Sequence, residues 1–174
     1  IILKMFPILF KLISSLPWFL LVGISRVFAY IFMLFKSSQY KVTKKNIEHC
    51  LKGDKQIIKK SFLRTTELLF EYPYVWGRPD NYKNLVEEDS LEYSFNHEKK
   101  PILLFSMHMG CVDTMLFLMS DKIKDLNIVY TPAKKQSLEK ITKKIRQAKG
   151  ANMVSADAAG IKNLYKRFVS GENL

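Results

Sequence analysis

An α/β fold, with a mostly parallel sheet flanked by helices and preceded by an N-terminal membrane-anchoring helical segment, is predicted by two observations. From Pro101 onward, apolar runs alternate with helix-length charged segments: PILLFSM, CVDTMLFLMS, LNIVYT, SLEKITKKIRQAKG, ANMVSA and IKNLYKRFVSG. Strand and helix in alternation is the pattern of parallel strands joined by crossover helices. Ahead of this region, residues 5–35 are apolar almost throughout. The chain has 174 residues, 48% hydrophobic and 13% aromatic, which is enough for a substantial core and argues against disorder. We divide it into a hydrophobic anchor at 1–36 and a folded domain at 37–174. The domain is read as incomplete at its C-terminus, because another strand is due after FVSGE.

The anchor is interrupted by Lys11, Pro17 and Arg26, and from Leu12 to Phe35 only Arg26 is charged. A spanning helix needs about 20 mostly apolar residues, so the length suffices. An arginine in hydrocarbon costs about 2.5–3.5 kcal/mol on insertion scales, which leaves a true span and a tilted or interfacial anchor both open. No small-residue cleavage site closes the stretch, unlike a signal peptide. Next comes KSSQYKVTKKNIEHC, with Lys36, Lys41, Lys44 and Lys45 close together. Such lysines hold the succeeding chain on the cytoplasmic side and can touch anionic headgroups.

Asp54 is placed to cap a helix through KQIIKKSFLRTTELLFEY, with Ile58, Phe62 and Leu69 at helical spacing and an end expected near Pro73. Residues 77–100 read as loop with short helical turns around an acidic knot of Glu87, Glu88 and Asp89. The net charge is +12, with +3 in the first 35 residues, so the remainder carries its own attraction for anions. Cys50 and Cys111 have no metal-like or disulfide-like spacing, consistent with a reducing compartment.

The chemistry concentrates in HMGCVD at 108–113. On one continuous helix His108 and Asp113 would point roughly 140° apart. With His108 closing a strand and Asp113 in the first turn of the next helix, the chain reversal can bring imidazole and carboxylate together. In open parallel sheets ligands sit beyond the carboxyl ends of the strands, where His108 is expected. A histidine oriented by a carboxylate can take the proton of an alcohol. No serine is placed as an enzyme nucleophile, so the substrate is expected to supply the hydroxyl. Gly110 permits a sharp turn or close substrate approach. Cys111 is a rival nucleophile without an evident third group and is read as packing. His49 and His97 read as surface histidines. The residues call for no metal and no cofactor. The basic stretch 137–149, with Lys140, Lys143, Lys144, Arg146 and Lys149, suits an acidic protein or phosphates, or else is a solvated face. It has no interleaved aromatics, which argues against nucleic acid.

These residues resemble the membrane-bound lipid acyltransferases, most closely the lauroyl/myristoyl acyltransferases of bacterial lipid A biosynthesis. The resemblance is carried by the apolar start, KVTKKNIEHC, FLRTTELLFEYPYVW, the histidine-four-residues-acid motif HMGCVD, IVYTPA and KIRQAKG. It implies that His108 is the general base and Asp113 its partner in moving an acyl group from acyl carrier protein to a hydroxyl of a phosphorylated glycolipid, a lipid A precursor. It implies a substrate site lined by Gly110, Tyr130 and Arg146, at the cytoplasmic face of a bacterial inner membrane. Thr131 and Lys144 stand where many members carry arginine, and lysine does not reproduce bidentate phosphate contacts. Other expectations are acyl transfer to another glycolipid or lysophospholipid, and a non-enzymatic membrane module that binds anionic lipid.

Overall fold

The computed structural model describes residues 2–51, 53–87, 101–107 and 110–174. The elements are α1 (Ile2–Ser14), α2 (Trp18–Leu34), α3 (Ser38–Leu51), α4 (Lys55–Gly77), a 3-10 helix (Pro79–Asn84), α5 (Val112–Lys122), β1 (Asn127–Tyr130), α6 (Gln136–Arg146), a 3-10 turn (Gln147–Lys149), β2 (Asn152–Ser155) and α7 (Ala158–Val169). They fall into two compact units, residues 9–77 and residues 1–8 with 78–174.

In the unit 9–77, Pro17 separates α1 from α2, and the segments Pro7–Ser14 and Trp18–Leu34 are bent by 112°. Proline lacks the N–H that would continue the helix and pushes the preceding residue out of the helical region. α2 packs against α4 and buries only Leu21, Ser25 and Ala29, one narrow stripe at four-residue spacing. Its other faces leave Phe19, Val27, Tyr30 and Leu34 exposed. No single helix among the described residues is long and apolar enough to cross a membrane, although the bent pair together passes by length and composition. Arg26, inside the apolar run, has its Nε 3.8 Å from Oε1 of the buried Glu67, whose Oε2 lies 2.6 Å from Arg64 Nη1.

Asp54 caps α4 as expected, with Oδ1 accepting from the Gln56 N–H at 2.7 Å. The helix does not stop near Pro73 but runs on to Gly77. An internal proline costs about 3 kcal/mol. Against this, Tyr74 and Val75 are fully buried, each worth about 1.5–3 kcal/mol. Trp76 adds an edge-on contact with Phe10 at 5.6 Å. Burial therefore outweighs the break. Leu69, placed on the core face by its spacing, is instead 61% exposed, and that face uses Ile58, Phe62 and Thr66. Thr66 makes this possible by donating its hydroxyl to the Phe62 carbonyl at 2.9 Å.

In the other unit β1 and β2 pair in parallel from Asn127↔Asn152 to Tyr130↔Ser155, with α6 in the crossover. The expected strand-helix alternation and parallel pairing are present. Among the described residues, however, the sheet has two strands, and most of these residues are helical. PILLFSM forms no regular strand. Among the described residues its backbone partner is Leu174: Leu104 N–H donates to the Leu174 carbonyl at 2.8 Å, and Leu174 N–H donates to the Ile102 carbonyl at 2.9 Å. Asn173 in turn bridges Leu126 in parallel. The alignment is that of a sheet, but among the described residues the rungs are too few for a ladder. An apolar groove of about 370 Å³ follows this line, edged by Leu103, Phe105, Ile128 and Val129, with Leu116 and Met119 of α5 along it.

The core of this unit is Leu116, Phe117, Leu118 and Met119 of α5 with Ile123, Leu126, Met153 and Leu164. α7 starts at Asp157, whose Oδ1 accepts from the Gly160 N–H at 2.8 Å. A Cβ on Gly160 would stand 1.9 Å from the Ser155 carbonyl oxygen, so only glycine lets α7 pass the end of β2. Lys149 bonds to Asp80 and, at 3.2 Å, to Asp121, which also accepts from the Tyr82 hydroxyl at 2.6 Å. These bonds hold Lys149's charge above the ordinary lysine range, Asp80 contributing most. Lys149 thus sits beyond the end of α6, tied into the fold, and not on a free basic face.

Candidate active site

The turn into α5 is made by Gly110 at φ +97°, a left-handed conformation that side-chain-bearing residues rarely adopt. Cys111, buried, is the N-cap, so α5 begins at Val112 and Asp113 lies in its first turn. A carboxylate is favoured there by the helix dipole. Asp113 is 0% exposed, and a buried carboxylate must be paired or hydrogen-bonded. Arg146, the last residue of α6, supplies the pairing: Nε donates to Oδ1 at 2.8 Å and Nη2 reaches Oδ2 at 3.5 Å. The guanidinium thus lies side-on to the carboxylate, with its own side chain 24% exposed. The expected placement of Asp113 in the first helical turn is what the structure has. His108 lies outside the described residues.

Tyr130 stands at the carboxyl end of β1, and its hydroxyl donates to Glu139 Oε1 at 2.5 Å. Burial, then the hydrogen bond and charge of Glu139, push the phenol up to about 12. The second oxygen, Oε2, accepts from the Ala133 N–H at 2.8 Å. The Tyr130 bond, followed by the Ala133 N–H, holds the Glu139 carboxyl below the ordinary glutamate range. Glu139 and Arg146 are seven residues apart, two turns of helix, and so share one face of α6. From that face one reaches β1 and the other α5.

Of the residues singled out in the sequence, Asp113 and Arg146 are brought into direct contact. Tyr130 joins them through α6, and Gly110 shapes the approach to α5. Glu139 went unnoticed in the sequence. The signal that marks it is a single acid in the first turn of a helix whose other charges are all basic.

A family model described as bacterial lipid A biosynthesis acyltransferase matches residues 3–174. The chain belongs to that family. A comparison with curated proteins finds no match. As a member, the protein is an acyltransferase of lipid A biosynthesis, which sets aside the non-enzymatic lipid-binding module. The acyltransferase's match runs from its apolar start through HMGCVD to Leu174, the same span over which the motifs occur.

Proposed function

We propose that this acyltransferase moves a fatty acyl group from acyl carrier protein to a hydroxyl of a lipid A precursor at the cytoplasmic face of the inner membrane. The observation that carries the reading is the fully buried Asp113 carboxylate in the first turn of α5, five residues after His108. His108 removes the proton of the acceptor hydroxyl, and the resulting alkoxide adds to the thioester carbonyl. Asp113 orients the imidazole and stabilises its charged form. Collapse of the tetrahedral intermediate expels the carrier thiolate, which takes up the proton from the imidazolium. Gly110 allows the substrates to approach the turn closely, and Tyr130 borders the acceptor, with Arg146 held on Asp113 beside it.

Residues 1–36 serve as the membrane anchor and 37–174 as the acyltransferase domain. This functional boundary cuts across a compact helical unit, because α2 packs on α4. The 112° bend and the exposed apolar residues of α2 support an anchor lying in the interface. Lys41, Lys44 and Lys45 of α3, all exposed, are suited to anionic headgroups.

The test is product analysis. Purified protein supplied with an acyl carrier protein thioester and a lipid A precursor should add the mass of one fatty acid less water to the precursor, and the His108→Ala protein should add none. Transfer from coenzyme A thioesters with no use of the carrier-protein donor would contradict the donor, and an unmodified precursor would contradict the acceptor.

A further inference from the structure

We propose that Arg146 is a positioning residue for Asp113, and not a ligand of the acceptor's phosphate. The inference rests on the reading of Asp113 given above and assigns α6 a part in it. Guanidinium and carboxylate form two contacts, 2.8 Å and 3.5 Å, through Nε and Nη2, so the arginine fixes the plane of the carboxylate as well as its charge. Asp113 is wholly removed from solvent, and an unpaired charge there is costly, so the carboxylate retains Arg146 in preference to releasing it to a solvated phosphate.

A second contact makes the pairing geometric and not accidental. Glu139, on the same face of α6, uses both oxygens, one for the Tyr130 hydroxyl and one for the Ala133 N–H. Together they fix the start of α6 against the end of β1, and the helix then delivers its last residue to α5. The strand end, the helix and the carboxylate are thereby coupled, so that displacement of α6 is felt at Asp113 and through it at the base.

The experiment measures kcat and the acceptor KM for Arg146→Lys, Arg146→Ala, Asp113→Asn and the double variant Arg146→Ala/Asp113→Asn. Misplacement of a catalytic group by about 1 Å can cost about 100-fold in rate, and a loss of that order in kcat is expected for Arg146→Ala, with KM changed less than about threefold. Lysine keeps the charge but not the fork, so Arg146→Lys should retain only part of the rate. Added guanidinium ion should restore some activity to Arg146→Ala. In the double variant the losses should not add, because both substitutions act on one orientation. If Arg146→Ala is too unstable to assay, Arg146→Lys, Asp113→Asn and the double variant Arg146→Lys/Asp113→Asn close an equivalent cycle, and its losses should likewise not add. A raised acceptor KM at unchanged kcat, or losses that multiply, would overturn the proposal while leaving His108 and Asp113 in place. Wild-type kcat in Asp113→Asn would instead overturn the reading beneath it.

Discussion

At the scale of single residues, the site is organised by what burial demands of polar groups. Asp113 cannot stand uncompensated at 0% exposure, and α6 answers with Arg146. Tyr130 shows the complementary case, a neutral phenol kept neutral by burial and by the carboxylate it donates to. Its pKa rises from the usual 10.0 to about 12, so between these values the unfolded chain has lost a proton that the folded chain still holds. Stability from this group is therefore complete below pH 10 and declines as pH rises toward 12. Tyrosine ring-carbon NMR should show one phenol titrating near 12, and Glu139→Gln should bring it down while leaving the share due to burial. Thr114, buried beside Asp113, has an Oγ1 without a hydrogen-bond partner among the described residues. Thr114→Val should therefore cost nothing and is expected to stabilise by about 1 kcal/mol in a thermal melt. The placement of Asp113 in the first turn of a helix was legible in the sequence, because Gly110 marks a turn and the apolar run after it marks where the helix starts. The Arg146 contact was not, since it joins residues 33 apart through a packing arrangement that no local pattern reports.

At the scale of elements, sequence periodicity located the helices and strands well, and it failed where tertiary burial competes with a local rule. Pro73 announces a helix end, yet α4 continues because Tyr74 and Val75 have somewhere to go. Leu69 fits the apolar spacing and is exposed, its place on the core face taken by a threonine that satisfies its own hydroxyl. PILLFSM has the composition of a buried strand, but a strand is defined by its neighbours, and among the described residues few of its backbone groups find them. The Asp54 cap, by contrast, is purely local and was readable; Asp54→Ala should lower stability by about 1 kcal/mol. Gly160→Ala should cost more, at least about 1–3 kcal/mol, because the Ser155 carbonyl that a methyl group would meet belongs to backbone. Denaturant unfolding of the two variants would order them, and an unperturbed Gly160→Ala would show that α7 can move off β2.

At the scale of the molecule, charge and hydropathy are divided along the chain. The first 35 residues are apolar with three cations and no anion, and the basic helix α3 follows. Vesicle sedimentation should show tight binding to phosphatidylglycerol bilayers. Replacing Lys41, Lys44 and Lys45 by glutamine should weaken binding by roughly 1 kcal/mol per lysine near the surface and flatten its salt dependence. Unchanged binding would place α3 away from the bilayer. The apolar run and its break at Pro17 were legible. The 112° bend was not, because the sequence shows where Pro17 breaks a helix but not the direction in which the next one leaves.

That a histidine and a buried carboxylate together activate a lipid hydroxyl is tested most directly by the single-turnover rate of acyl transfer in Asp113→Asn and His108→Ala proteins shown by thermal melting to be folded. General-base assistance of this kind contributes about 10²- to 10⁴-fold, and each variant should lose a factor in that range with acceptor binding retained. A folded variant of either residue that transfers acyl groups at the wild-type rate would contradict the pairing of base and carboxylate.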